Sequence, residues 1–421
     1  MSAALTGSAG FLAKFEALQG KLPGDSNMRA AAAAAFRSAG LPGGGRQQRP
    51  LEAWKYTSLR PVAEARFTSD AAPRHEAETI LAGLRLLDAP RLVFVDGMFR
   101  ADLSVPPPVS FARFAEAAEM GTLTWPDREP MVALNTMLAT DGAGLHVPAE
   151  TDGGLVQLVS LATRDTDIHP RHCIHLDAGA RLTLLEVSAG QGAYLLNTVA
   201  EFHVADGAHL THIRLQDEAD RAFHISTAYT EIAGGGTYDS FTLNLGGRLC
   251  RTEVHAELTG PGAVAHLNAA QLLDDSQHAD FTTVVRHTAP SGTSRQTVKN
   301  VLSGRARGVF QGRIEVAREA QKTDGYQMNQ ALLLSPEAEI DSKPELEIFA
   351  DDVKCSHGAT VGELDAEQVF YLRSRGVPES EARSILVRAF LAEALDAVPD
   401  EAVRGLLETS VETWWARRRE G

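Results

Sequence analysis

Glycine turns recur through the middle of this chain at an almost constant spacing. Gly179-Ala180 is followed 28 residues on by Gly207-Ala208, after a further 28 by Gly235, after 27 by Gly262-Ala263 and after 30 by Gly292. The first two turns repeat in detail, as Gly179-Ala-Arg-Leu-Thr183 and Gly207-Ala-His-Leu-Thr211. One turn per unit at this period marks a solenoid, in which no unit buries its inward face alone and stacked units share one core. Short apolar runs fill the units: Leu155–Leu161, Leu182–Val187, Leu195–Val204, Leu210–Leu215, Phe241–Leu245 and Gln296–Leu302. Helical periodicity is almost absent between 155 and 350, so these runs read as strands and the chain as mainly β, a parallel β-helix or a related stack. The competing reading is a β-sandwich whose glycine spacing is accidental, since the chain has 36 glycines.

The flanks differ. With 421 residues the chain exceeds one ordinary core, and its texture divides it into a mixed, mostly helical 1–130, a solenoid 131–360 and a helical 361–421. Ala30–Ala39 favours helix and stops at Gly40, Leu41–Arg49 reads as a linker, and Arg91–Phe99 reads as two strands joined by an Asp-Gly turn. After Gly362, Asp365–Arg375 is a helix ended by Gly376. A second helix starts at Pro378 with Glu379 and Glu381 in its first turn. Ala382, Ile385, Leu386, Ala389 and Phe390 recur along it at helical spacing as an apolar face, and a third helix carries Leu406, Leu407, Val411 and Trp414.

Composition excludes several functions. The formal charge of −15 opposes non-specific binding to nucleic acid or to an anionic membrane surface. No apolar run approaches the roughly 20 residues of a spanning helix, and the N-terminus lacks a basic segment followed by an apolar one, so we read the protein as cytosolic. Cys173, Cys250 and Cys355 are three, far apart and in no CxxC pair, which opposes a disulfide framework and a closed metal cage. There is no P-loop, Gly-x-Ser-x-Gly elbow or HExxH.

Three groups could bind metal. His169-Pro-Arg-His172-Cys173-Ile-His175 is the densest. On a strand Cys173 and His175 share a face while His172 points away, so one strand cannot bring all of them to one ion. The plainer reading is a partly exposed rung. His203, His209 and His212 lie beside the next strands, with His209 and Thr211 pointing one way and Leu210 and His212 the other. In Cys355-Ser-His357 the thiol and imidazole would share a face of a strand, a spacing suited to offering a soft and a nitrogen ligand at an edge shared with another chain. The plainer reading is a turn with a buried Cys and an exposed His. A nucleophile served by its own i+2 histidine is the poorer reading, because parallel side chains do not meet.

The block Tyr326–Pro336, then Ala338–Asp352, then Val353-Lys-Cys-Ser-His-Gly-Ala-Thr-Val-Gly362, continued by Leu364–Gly376, resembles the SufB/SufD family of the SUF iron–sulfur cluster assembly system. Trp54-Lys-Tyr-Thr57 is similar to a motif more typical of the SufD side. The chain length and the Lys354–Gly362 block point the same way, and the His-Glu-Ala glutamate pattern of the SufB side is not found. The resemblance implies a right-handed parallel β-helix flanked by helical N- and C-terminal domains, acting as a non-catalytic scaffold. It implies pairing with a SufB-like subunit, or with a second copy in isolation. It also implies docking of a SufC-like ATPase on the C-terminal helices, where Ile385, Leu386, Ala389 and Phe390 are the candidate surface. A transient iron–sulfur cluster shared with the SufB-like chain would take His357, and less firmly Cys355, as ligand, and a reduced flavin is a further cofactor the complex could carry. Two other readings are a structural homodimer with no cluster role and a β-helix enzyme acting on acidic polysaccharide. The latter is usually secreted and often uses calcium.

Overall fold

The computed structural model describes residues 6–44, 51–67, 76–117 and 120–420. The recurrent turn has a conformational cause. Glu150, Gly179, Gly207, Gly235, Gly262, Ser291 and Lys322 each take a left-handed φ between 55° and 70°, one per turn of the chain. A Cβ at Gly207, Gly235 or Gly262 would meet nothing within 4 Å, so the backbone angle and not crowding selects glycine there. The N–H groups of Gly179, Gly207, Gly235, Gly262 and Ser291 each donate to a carbonyl of the following turn at 2.8–3.1 Å, forming one column along a corner. The fifth turn corrects the sequence reading. Ser291 takes the left-handed position, whereas Gly292 is needed for space, since a Cβ there would lie 2.7 Å from His287 Nδ1.

Two strands per turn build two long sheets. The first has ten strands, running from the hairpin Arg91–Val95/Met98–Phe99 through Asp152–Ala162, Arg181–Gly190, His209–Gln216, Thr237–Asn244, Val264–Leu273, Thr293–Leu302 and Asp324–Leu333 to Lys354–Gly362. The second runs from Ser110–Arg113 and Ala143–Val147 through Arg171–Leu176, Leu195–Val204, Phe223–Ile232, Leu249–Leu258, His278–His287 and Arg307–Val316 to Glu339–Ile348. All neighbours are parallel except the opening pair of each sheet. Asp96 and Gly97, both left-handed, make the hairpin turn that the Asp-Gly dipeptide predicts. This is a parallel β-solenoid, not a sandwich.

Inward residues of both sheets, among them Leu210, Tyr238, Phe202, Val254, Phe281 and Phe310, share one dry core, each such side chain contributing about 1.5–3 kcal/mol by burial. One ionic group lies inside it. His212 Nε2 is 3.0 Å from Glu186 Oε1, and Arg214 Nε is 3.9 Å from Glu186 Oε2. Tyr238 Oη and Arg214 Nη2 both donate to His212 Nδ1, at 2.9 and 3.3 Å, which leaves the ring proton on Nε2. Burial and then the Arg214 charge push the His212 imidazole down to about 4. Burial alone would raise Glu186, but His212 and Arg214 hold it near about 2.

Helices cover both outer faces. The N-terminal helices pack Phe11, Phe15, Phe36 and Met131 onto Leu195, Phe223 and Leu249 of the second sheet. The Trp54–Thr57 motif locks this layer. The guanidinium of Arg251 lies 4.2 Å from the Trp54 ring centroid, and Thr57 Oγ1 donates to the buried Asp280 at 2.5 Å. Leu41 is fully buried there and its N–H donates to Ser8 Oγ at 3.0 Å, so it belongs to the domain and not to a linker. Residues 45–49 of that stretch lie outside the described residues. On the opposite side Val387, Leu391, Leu395, Leu406, Leu407 and Trp414 pack on Val187, Ile213, Phe241 and Leu272 of the first sheet. The inward face of helix Glu379–Leu395 is therefore Ala382, Ser384, Val387, Leu391, Ala394 and Leu395. Ile385, Leu386 and Phe390 are half-buried and Ala389 is exposed.

Candidate functional site

The solenoid's two ends differ. Antiparallel pairs close the first turn of each sheet, whereas Glu339–Ile348 and Lys354–Gly362 each pair with only one neighbour. The last rung is thus open along two strands, among the described residues. Lys354 N–H donates to Thr323 O at 2.8 Å. Strand alternation then turns the peptide groups of Cys355, His357, Ala359 and Val361 toward the unpaired edge. On the companion strand Glu339 N–H donates to Ala306 O, so Pro344 falls at an outward-turned position where its missing N–H breaks no ladder bond.

Cys355 and His357 sit on this rung as their spacing predicts. Their register partners one rung back are Gly325 and Gln327. Cys355 is half-buried against a small cluster with Ile314, Val316, Ala320 and Ala350, and burial pushes its thiol up from the ordinary value. It is therefore a neutral thiol at physiological pH until a cation displaces the proton. His357 is exposed. Beneath it, Gln327 is fully buried, donates from Nε2 to Glu345 O at 3.2 Å, and leaves Oε1 without a hydrogen-bond partner. Ile348, Phe349 and Val361 are exposed on or next to these two strands, and Phe370 and Tyr371 are exposed on the helix that follows. Helix Ala366–Ser374, which follows, buries none of its residues.

The other candidates separate. His169 and His172 are buried, correcting the partly exposed rung of the sequence reading. His169 Nε2 lies 2.9 Å from Asp167 Oδ2, a carboxylate that Lys14 also reaches at 2.8 Å. His172 points inward, where its Nδ1 accepts from Ala143 N at 3.0 Å. His209 lies outside, 2.8 Å from Asp239, whose other oxygen is 2.7 Å from His266, while His212 is in the core. Cys173 and His175 do share the outer face, and His203 joins them from the next strand, a neighbour that linear spacing could not reveal. At the candidate docking helix, Lys299 Nζ lies 4.7 Å from the Phe390 ring centroid. A cleft of about 440 Å3 opens nearby, lined by Leu334, Leu364, Val369, Phe370 and Arg383.

Fold and site together define a class: a helix-covered parallel β-solenoid, closed at one end, with a thiol and an imidazole on an unpaired last rung. Comparison with known proteins narrows it. The family described as "SUF system FeS cluster assembly, SufBD core domain" matches residues 159–390. The chain is 35% identical to the iron–sulfur cluster assembly protein SufD of Escherichia coli over 373 residues, covering 85% of this chain and 86% of that protein. It is 32% identical over 392 residues to an iron–sulfur cluster assembly SufBD family protein of Synechocystis, covering 86% and 85%. The chain belongs to the SufBD family and is a SufD-type protein of iron–sulfur cluster assembly. Among the described residues no helix is long and apolar enough to cross a membrane.

Proposed function

We propose that this chain is the non-enzymatic half of a cytoplasmic scaffold that completes its site by pairing with a SufB-like subunit. The single observation that carries the reading is the open last rung bearing His357 beside Cys355. An unpaired strand edge is a template for another strand, and here it is long, flanked by exposed apolar side chains and equipped with ligands suited to iron. The nascent cluster is the cargo, held between a ligand of the partner and His357, with Cys355 as an auxiliary thiol. We expect His357→Ala to lower iron and sulfide retained by the reconstituted complex at least about tenfold, the usual scale for damaging a metal site, while the complex still assembles. Unchanged iron and sulfide in an assembled complex would remove His357 from the site.

The second part of the proposal assigns the outer side of helix Glu379–Leu395, with Ile385, Leu386 and Ala389 and bordered by Phe390, which itself packs on the first-sheet core and Lys299, to a SufC-like ATPase. The inner face of this helix already rests on the solenoid, so a half-exposed apolar ridge is spare for a partner. Leu386→Asp together with Ala389→Asp should abolish co-purification with the ATPase and leave the melting temperature within a few degrees. A large drop in melting temperature with retained binding would return these residues to the chain's own packing.

A further inference from the structure

We propose that Cys173, His175 and His203 form a binding site for a divalent transition-metal ion, at the closed end of the solenoid and apart from the open rung. Two simple geometric rules build it. Alternation along Arg171–Leu176 places Cys173 and His175 on one outer face, and the parallel register aligns His175 with His203 on Leu195–Val204. The two imidazoles stack with centroids 4.4 Å apart and planes 2° from parallel. Cys173 Sγ lies 3.1 Å from His175 Nε2, and the ligand atoms of all three residues fall within 4.8 Å of one another. Metal–ligand bonds of about 2.0–2.3 Å put ligand atoms roughly 3.3–3.8 Å apart around a tetrahedral ion. The three ligand atoms already lie near that spacing, and the two parallel rings must turn out of their stack for both lone pairs to meet one ion.

The surroundings favour these three and no others. Glu201 is the register neighbour of Cys173, but its carboxylate already accepts from Thr122 N, Leu123 N and Arg171. His146 aligns with His175 from the far side and is held by Asp177 at 2.9 Å. A pocket of about 160 Å3 opens beside Cys173 and His175, lined by Phe111, Phe114 and His146. One thiolate and two imidazoles are the nitrogen–sulfur set that zinc and related ions take, and three protein ligands leave a fourth position for water or an incoming ligand from that pocket. Binding is not a redox step: the Cys173 thiol proton passes to solvent as the sulfur bonds to the ion.

Cobalt(II) added to the full chain tests this, because a thiolate ligand gives it a charge-transfer band in the near ultraviolet. The background is the double variant Cys355→Ser/His357→Ala, which removes the open-end ligands. We expect one cobalt per chain in that background, displaceable by zinc, with the charge-transfer band lost in Cys173→Ser. His203→Ala should weaken binding at least about tenfold. If Cys173→Ser does not fold, protection of Cys173 from alkylation by zinc in the unsubstituted chain decides instead, with protection expected. No cobalt bound in the background variant, a band that survives Cys173→Ser, or alkylation unaffected by zinc would each overturn the site and leave a thiol–imidazole hydrogen bond only.

Discussion

Val361→Asp will leave the chain folded and unable to pair through its last rung. Val361 is 56% exposed on the final strand, and its peptide group faces the unpaired edge, so within the monomer the new carboxylate stays in water. In a paired state the same carboxylate would be stripped of water against another strand, at a cost of several kcal/mol without a partner charge. A companion variant, Ala359→Pro, removes one outward-turned N–H while sparing the ladder to Asp324–Leu333, whose bonds use the alternate residues. An interface hydrogen bond left unmade costs about 1–3 kcal/mol, and 2.7 kcal/mol is a hundredfold in affinity. We therefore expect at least about a hundredfold weaker association for Val361→Asp, with a smaller loss for Ala359→Pro. Light scattering of the isolated chain, and of its mixture with a SufB-like subunit, measures this. Association unchanged by Val361→Asp would mean that pairing uses another surface.

Acid should unfold this protein earlier than its carboxylates alone would. His212 and His287 are buried, and both are pushed down to about 4, His287 by burial alone. Burial lowers His169, His172 and His278 as well. In the unfolded chain a histidine titrates near 6.5. Between these values the unfolded state binds the proton and the folded state does not, so stability falls as pH falls. The contribution is complete above about 6.5 and declines toward pH 4, by about 3 kcal/mol for each of His212 and His287. Glu186 and Glu253, held near about 2, add their loss only below about 4.5. Glu129 opposes the trend. Burial and then the Glu253 charge raise it to about 8, so its contribution is present at low pH and lost as pH rises through 8. One such carboxyl offsets about one histidine and not five. Native stability is typically about 5–15 kcal/mol, so we expect the urea midpoint to fall steeply between pH 6.5 and 4.5. His287→Gln should remove about one proton from that slope. A midpoint constant from pH 7 to 5 would show that these rings are protonated in the folded state.

Much of the fold was legible because its causes are local. A left-handed turn needs glycine or a tolerant polar residue at one position, and Gly179, Gly207, Gly235 and Gly262 announce it. Where Ser291 and Lys322 take over, the signal fades, and the glycine of the fifth turn, Gly292, stands one residue past the left-handed position. The helix beginning after Pro378 is legible in its periodicity, but the side it presents to the solenoid is not. Its buried residues include Ser384 and Val387 while Ala389 is exposed, because contact with the first sheet, and not apolar identity along the helix, selects the inward side. The open edge also left a trace that spacing arguments pass over: Pro344 in the middle of a strand is tolerated only where no second neighbour needs its N–H.

By itself the sequence determined that strands would stack with one turn per unit, that helices would flank them, and that Cys355 and His357 would share a face. Each follows from angles and alternation within a few neighbouring residues. Only the tertiary structure decided that the rung carrying them is left unpaired, that His212 is enclosed with Glu186 while His209 is not, and that His203 meets Cys173 and His175. Those outcomes depend on register between strands a whole turn apart, where contact is set by the shared core and not by distance along the chain.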